Sequence, residues 1–225
     1  MNVSRTTGVM VAGSPLNALQ VVPPFREYHL IDLDGAKATS LRGLVADRSD
    51  VHVYEDDCND ILLRQVFPRI QYTDFRRGLV LVDPYGLHLD WEVLRTAGQV
   101  KTIDLFLNFP VYDMNLNVLW RNPEGVAAAD VARMTRYWGD DSWRNVAYTT
   151  TGNLFGLEEK TNNDTMASAF RERLRTVAGF RHVPAPMPMR NSNNAIVYYL
   201  FFASQKDTAN RIVTEIFAKY RGRQG

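Results

Sequence analysis

The chain has 225 residues, 45% of them hydrophobic, with 26 basic and 25 acidic side chains and a formal charge of +1. That length is enough for one complete core. The near-balance of charge gives no electrostatic reason to grip a nucleic-acid backbone over a wide surface, though it leaves room for a local basic patch. The lone cysteine, Cys58, excludes an intramolecular disulfide framework and a cysteine-rich zinc site, and it fits a reducing cytosol. The amino terminus lacks the charged, apolar and small-residue regions of a signal peptide. The longest apolar run, at 195–203, falls far short of the ~20 residues needed to cross a bilayer. A soluble, cytoplasmic protein is expected.

In chain order, residues 28–33 (YHLIDL) read as a strand, 35–46 as a helix, 51–54 (VHVY) as a second strand and 59–69 as a second helix. A third strand at 79–82 (LVLV), a helix at 90–98 and a fourth strand at 103–109 (IDLFLNF) follow. Near-continuous apolar strands alternating with amphipathic helices mark a parallel sheet covered on both faces, so the third strand is expected to be buried. Residues 125–163 break the pattern. A helix-like stretch at 126–138 precedes a polar segment containing Gly139, Gly152 and Gly156, and the whole reads as an inserted lid. Residues 164–178 are predicted to form a helix capped by Asp164, with Met166, Phe170, Leu174 and Val177 on one face. Three prolines within 181–189, the turn-forming run 191–194 and an aromatic strand at 195–203 read as a closing antiparallel hairpin. A last helix, 207–220, is predicted to bury Ile212, Ile216 and Phe217. The expected architecture is one α/β domain over 1–225, a doubly wound and mostly parallel sheet.

Three strands end in acids: Asp32 and Asp34, then Asp56 and Asp57, then Asp83. Ligands of open parallel sheets bind outside the carboxyl ends of the strands. Any one of these acids is equally explained as the cap of the next helix. Three along one edge, ~25 residues apart and one βα unit each, point to a shared site. Two chemistries use such a row. In a nucleoside-cofactor site, one acid accepts from the ribose hydroxyls, the next from the adenine amino group, and residues after the following strand face the reacting group. Alternatively, clustered carboxylates hold Mg²⁺ for phosphoryl transfer or hydrolysis.

Asp83-Pro84-Tyr85 also has two readings. A carboxylate and a carbonyl on a proline-stiffened turn can orient an exocyclic amine toward an electrophilic methyl group, while the tyrosine stacks on the target. Equally, Pro84 sets the angle of a strand-to-helix turn in which Tyr85 packs. Residues 31–35 (IDLDG) are similar to the DxDG of haloacid-dehalogenase-like phosphatases. However, Ala36 replaces the threonine or valine needed there, and Asp56 and Asp57 come too early for that family's later acidic pair. His29, His52, His88 and His182 show no metal-ligand spacing, although His88 lies close to the turn. Cys58 reads as a small buried residue, and Trp91 and Trp120 as helix packing. Arg171, Arg173 and Arg175 alternate along a helix and so do not share a face. A solvated charge distribution is their default reading, and phosphate contact the functional one.

The segments LVLVDPYGLHLDWEVL (79–94) and TIDLFLNFPV (102–111) resemble the core of the three-Cys-motif partner proteins, TcmP. Upstream, GSPLNAL (13–19), EYHLIDLD (27–34) and DDCNDIL (56–62) resemble that family's other elements, as does YYLFFAS (198–204) downstream. The resemblance implies a Rossmann-like, class I fold of S-adenosylmethionine-dependent methyltransferases, with a turn akin to the DPPY of amino-methylating enzymes. It implies that Asp32 holds the cofactor ribose and Asp57 the adenine, with Asp34 and Cys58 beside them in the cofactor site. Asp83, Pro84 and Tyr85 then face a substrate amine, such as the amino group of a nucleobase. A second reading is a non-catalytic member that binds a radical-SAM-like protein, and a third is a metal-dependent nuclease. The family's first strand and glycine-rich turn, expected before the GSPL segment, have at most a stub at 8–13 to represent them.

Overall fold

The structure, a computed structural model, describes residues 2–3, 10–11, 13–149 and 159–221. Its contacts divide the chain into two compact units, Met1–Val66 and Phe67–Gly225. In the first unit, β1 (Asn2–Val3) and β2 (Met10–Val11) pair antiparallel. The rest of the stub expected at 8–13, Gly13 apart, lies outside the described residues. Then come α1 (Ser14–Leu19), β3 (Tyr28–Ile31), α2 (Gly35–Leu44), β4 (Val51–Tyr54) and α3 (Cys58–Ile61). As the helical crossover requires, β3 and β4 are parallel, with Tyr28 opposite Val51 and Ile31 opposite Tyr54. β3 stops two residues earlier than predicted, and Leu33 is exposed. The helix predicted at 59–69 is instead α3, a π-helical turn at Leu62–Val66 and a 3-10 turn at Phe67–Arg69.

The second unit contains β5 (Gly78–Val82), α4 (Trp91–Val100), β6 (Ile103–Phe109), α5 (Val111–Asn117), α6 (Ala128–Trp138) and α7 (Trp143–Ala147). Two short strands, β7 (Tyr148–Thr149) and β8 (Glu159–Lys160), pair antiparallel. The unit closes with α8 (Asn163–Thr176), β9 (Met187–Arg190), β10 (Ile196–Ala203) and α9 (Asp207–Arg221). The sheet order is β5-β6-β10-β9. β5 and β6 are parallel, and β10 is antiparallel to both its neighbours, so the expected closing hairpin is present. The chain is thus mixed α/β, with a parallel pair in one unit and a mixed four-stranded sheet in the other. A single, mostly parallel sheet is not what the described strands form, because the hairpin contributes half of the larger sheet.

β6 alternates as a half-buried strand should, burying Ile103, Leu105, Leu107 and Phe109. Phe109 meets Phe170 of α8 at 4.7 Å and Phe201 of β10 at 5.5 Å between ring centroids. Around Phe170 stand Trp91, Tyr137 and Trp138, from α4 and α6. Met187, Phe202, Val213 and Phe217 form a second cluster beneath α9. Tyr137, Trp138 and Trp143 are fully buried, so α6 and α7, within 125–163, contribute side chains to the core. Gly152 and Gly156 lie outside the described residues.

Three predicted faces are corrected. β5 buries Val80 and Val82 but leaves Leu79 and Leu81 43% and 55% exposed, because it is the edge of its sheet and covered on one face among the described residues. α8 is capped by Asn162, whose side chain accepts from the Thr165 amide at 2.8 Å. Asp164, the predicted cap, instead accepts from the Tyr199 hydroxyl at 2.6 Å. Met166, Phe170 and Leu174 are buried as predicted, but the helix ends at Thr176 and Val177 is exposed. In α9 the buried stripe is Val213 and Phe217, while Ile212 and Ile216 are exposed. Among the described residues no helix is long and apolar enough to cross a membrane.

Candidate functional site

In the first unit the acids follow adjacent parallel strands. Asp32 Oδ1 accepts from the Asp34 amide at 2.9 Å, and its Oδ2 lies 3.8 Å from Lys37 Nζ. Asp34 is the N-cap of α2, accepting from the Ala36 and Lys37 amides. Asp56 accepts from the Asp57 amide at 2.8 Å. Asp57 caps α3, its Oδ1 taking both the amide and the side-chain Nδ2 of Asn59 at 2.8 Å. Cys58 opens that helix half-buried, more open than its reading as a core residue. The capping explanation is therefore realised for Asp34 and Asp57. For Asp57 the described hydrogen bonds use Oδ1, which leaves Oδ2 as the acceptor a hydroxyl or amine would meet, whereas Asp32 Oδ2 stands beside the Lys37 ammonium.

Asp83, Pro84 and Tyr85 belong to the second unit, immediately after β5. Val82 pairs with Leu107, so the register carries Asp83 alongside Asn108 of β6. The Asn108 Nδ2 donates to Asp83 Oδ1 at 2.6 Å. Tyr85 is 91% exposed, its ring 6.3 Å from that of His88. The turn is pinned from below by Leu87 and Leu89, both fully buried. Tyr85 therefore does not pack, as the structural reading of the tripeptide required. Arg133 approaches His88 Nε2 at 3.3 Å and pairs with Asp130.

Sequence reading missed three neighbours of this turn. Asn108 sits on the half-exposed face of β6, and only strand register reveals its partner. Burial, and then the Asp83 charge, hold the Tyr198 phenol above its ordinary range, which places Tyr198 in the same electrostatic environment. Asp113, in the first turn of α5, packs against Gly86. Gly86 has φ +57°, and a Cβ there would lie 2.8 Å from Asp113 Oδ2. That oxygen is buried without a hydrogen-bond partner among the described residues, while Oδ1 accepts from Asn117 at 2.8 Å. An acid three residues after Pro110, in the FPVYD that follows β6, was the available signal.

In the first unit, register also stacks His29 on His52 at 5.1 Å, with Glu27 Oε1 3.0 Å from His52 Nε2. Among the described residues no group of three or more His, Cys, Asp or Glu side chains lies where it could hold a metal ion. Comparison with protein-family models, with curated proteins and with solved structures finds no match.

Proposed function

We propose that the chain is an S-adenosylmethionine-dependent methyltransferase-like protein acting on an amino group, with the Asp83–Tyr85 turn facing the amine. The observation that carries this reading is a carboxylate and an exposed aromatic ring presented together at the end of a parallel strand. Asp83 is oriented by Asn108 at 2.6 Å, and Tyr85 is 91% exposed. A hydrogen bond from the amine to Asp83 fixes the direction of the nitrogen lone pair, and Tyr85 offers a stacking face for a flat target such as a nucleobase. S-adenosylmethionine, when bound, supplies the electrophilic methyl group. The acceptors at Asp32 and Asp57 fit a ribose and an adenine amino group, with Asp34 and Cys58 alongside. Parallel pairing of β3 with β4 and of β5 with β6 supports the Rossmann-like assignment that accompanies this function.

The test is calorimetric binding of S-adenosylmethionine and its demethylated product, followed by methyl transfer to amino-bearing nucleosides and oligonucleotides. Asp83→Ala is expected to lower transfer about 100-fold through lost positioning. Tyr85→Ala is expected to weaken substrate binding by about 1–3 kcal/mol if the target is a stacked base. Absence of binding to either cofactor form would sink the reading. The alternative of a non-catalytic partner for a radical-SAM-like protein draws on a different observation, the exposed Leu79 and Leu81 on the edge strand β5. Complex formation abolished by Leu81→Lys, in a chain that binds no cofactor, is the result that reading requires.

A further inference from the structure

The three alternating arginines of α8 divide between two environments. Arg173 faces inward: its guanidinium donates to the Trp138 carbonyl, Ser142 Oγ and Asp140 Oδ2, and lies 4.9 Å over the Trp91 ring. Arg171 and Arg175, one turn apart on the other side, line a cleft of about 390 Å³ together with Arg181, His182, Asn210 and Thr214. Among its described lining residues there is no carboxylate, and His182 supplies the one aromatic ring. In a chain of net charge +1, that is a local surplus of positive charge, self-repelling until an anion fills it.

The donors are unevenly committed. Arg171 Nε donates to the Val183 carbonyl at 2.6 Å, which fixes the direction of its fork. Arg175 has only an exposed contact with Glu172 at 3.4 Å, and Arg181 forms no ion pair among the described residues. Planar guanidinium forks match the oxygens of phosphate in pairs, and several converging forks suit a group with three or four oxygens better than a carboxylate with two. The cleft sits within the usual range of ligand sites, about 300–1,000 Å³, and is roomier than one oxyanion needs.

We propose that this cleft binds phosphate groups, its arginines taking neighbouring phosphates of a phosphodiester or pyrophosphate chain. The proposal is independent of methyl transfer at the Asp83 turn.

The test uses the full chain and two probes: a fluorescein-labelled single-stranded oligodeoxynucleotide by anisotropy, and sodium pyrophosphate by calorimetry. Arg175→Ala/Arg181→Ala removes two exposed side chains that hold no part of the core, and its thermal unfolding is expected to match the parent. It is expected to weaken binding at least tenfold and to reduce the salt slope for the oligonucleotide by about 1.4, or 0.7 per lost contact. Arg211→Ala, an exposed arginine outside the cleft, is expected to bind as the parent does. Competition between the probes supports the cleft and a shared phosphate chemistry. Oligonucleotide binding alone supports it with a phosphodiester source, and pyrophosphate binding alone with a small-molecule source. Binding of neither probe, an unaffected double variant, or equal loss in Arg211→Ala would each overturn the proposal.

Discussion

Gly86 shows how one residue sets the geometry of the candidate turn. Its φ of +57° is a left-handed conformation that costs most residues about 1–2 kcal/mol. Its missing Cβ also leaves the space that Asp113 Oδ2 occupies at 2.8 Å. Gly86→Ala is therefore expected to destabilise the protein by about 2–4 kcal/mol in urea unfolding. The two contributions are separable. In an Asp113→Ala background the steric part disappears, and the same substitution is expected to cost about 1 kcal/mol less. An unchanged cost would mean that backbone conformation alone demands the glycine. The turn was legible in the sequence as DPYG, but its support was not. Asn108 and Tyr198 come from strands whose register only the folded sheet fixes, and Asp113 comes from a helix beyond β6. Likewise, no spacing rule pairs His29 with His52, because parallel register sets them opposite one another.

At the scale of elements, α8 depends on Arg173 to join it to the loop after α6. The side chain bridges the Trp138 carbonyl at 2.9 Å and Asp140 Oδ2 at 2.9 Å. Burial works against the Asp140 charge, but hydrogen bonds from Ser142 and Arg173 outweigh it and hold the carboxyl below its ordinary value of 3.8. A lowered carboxylate pKa contributes stability above the unfolded value, and that stability is lost as pH falls through the folded value. Arg173→Met is expected to cost about 2–3 kcal/mol at pH 7, and Arg173→Lys less than that, since the charge remains but the fork is lost. The penalty of the Met variant is expected to narrow below pH 3.8, which urea unfolding at pH 7 and pH 3 would measure. Strands and helices of this unit were legible because alternation and helical spacing are local. The faces were less so. Ile212 with Ile216 and Val213 with Phe217 are equally good i, i+4 stripes, and the second is buried because it meets Phe202 and Met187. β5 reads as doubly buried because all of 79–82 is apolar, yet coverage of its second face is a property of neighbours and not of its own sequence.

For the whole molecule, the distribution of buried bulk separates the two units. Among the described residues the largest fully buried side chains, including Phe67, Phe109, Tyr137, Trp138, Trp143 and Phe170, all lie in Phe67–Gly225. Among the described residues of Met1–Val66 the buried hydrophobic ones are Tyr28, Ala38, Val45, Ile61, Leu62 and Val66, with a single aromatic ring. Local opening free energy follows buried apolar contact, so β3 and β4 are expected to open more readily than β6 and β10. Amide exchange followed by mass spectrometry is expected to be at least about tenfold faster in β3 and β4, a difference of ~1.4 kcal/mol. Equal protection across both sheets would show that the chain opens as one cooperative body. The same measurement bears on the proposed cofactor. If Asp32 and Asp57 hold a nucleoside, S-adenosylmethionine at 100 times its dissociation constant stabilises the bound state by about 2.7 kcal/mol. Because β3 and β4 open locally, that stabilisation is expected to slow their exchange about 100-fold. Slowing confined to β6 and β10 would instead place the ligand away from Asp32 and Asp57.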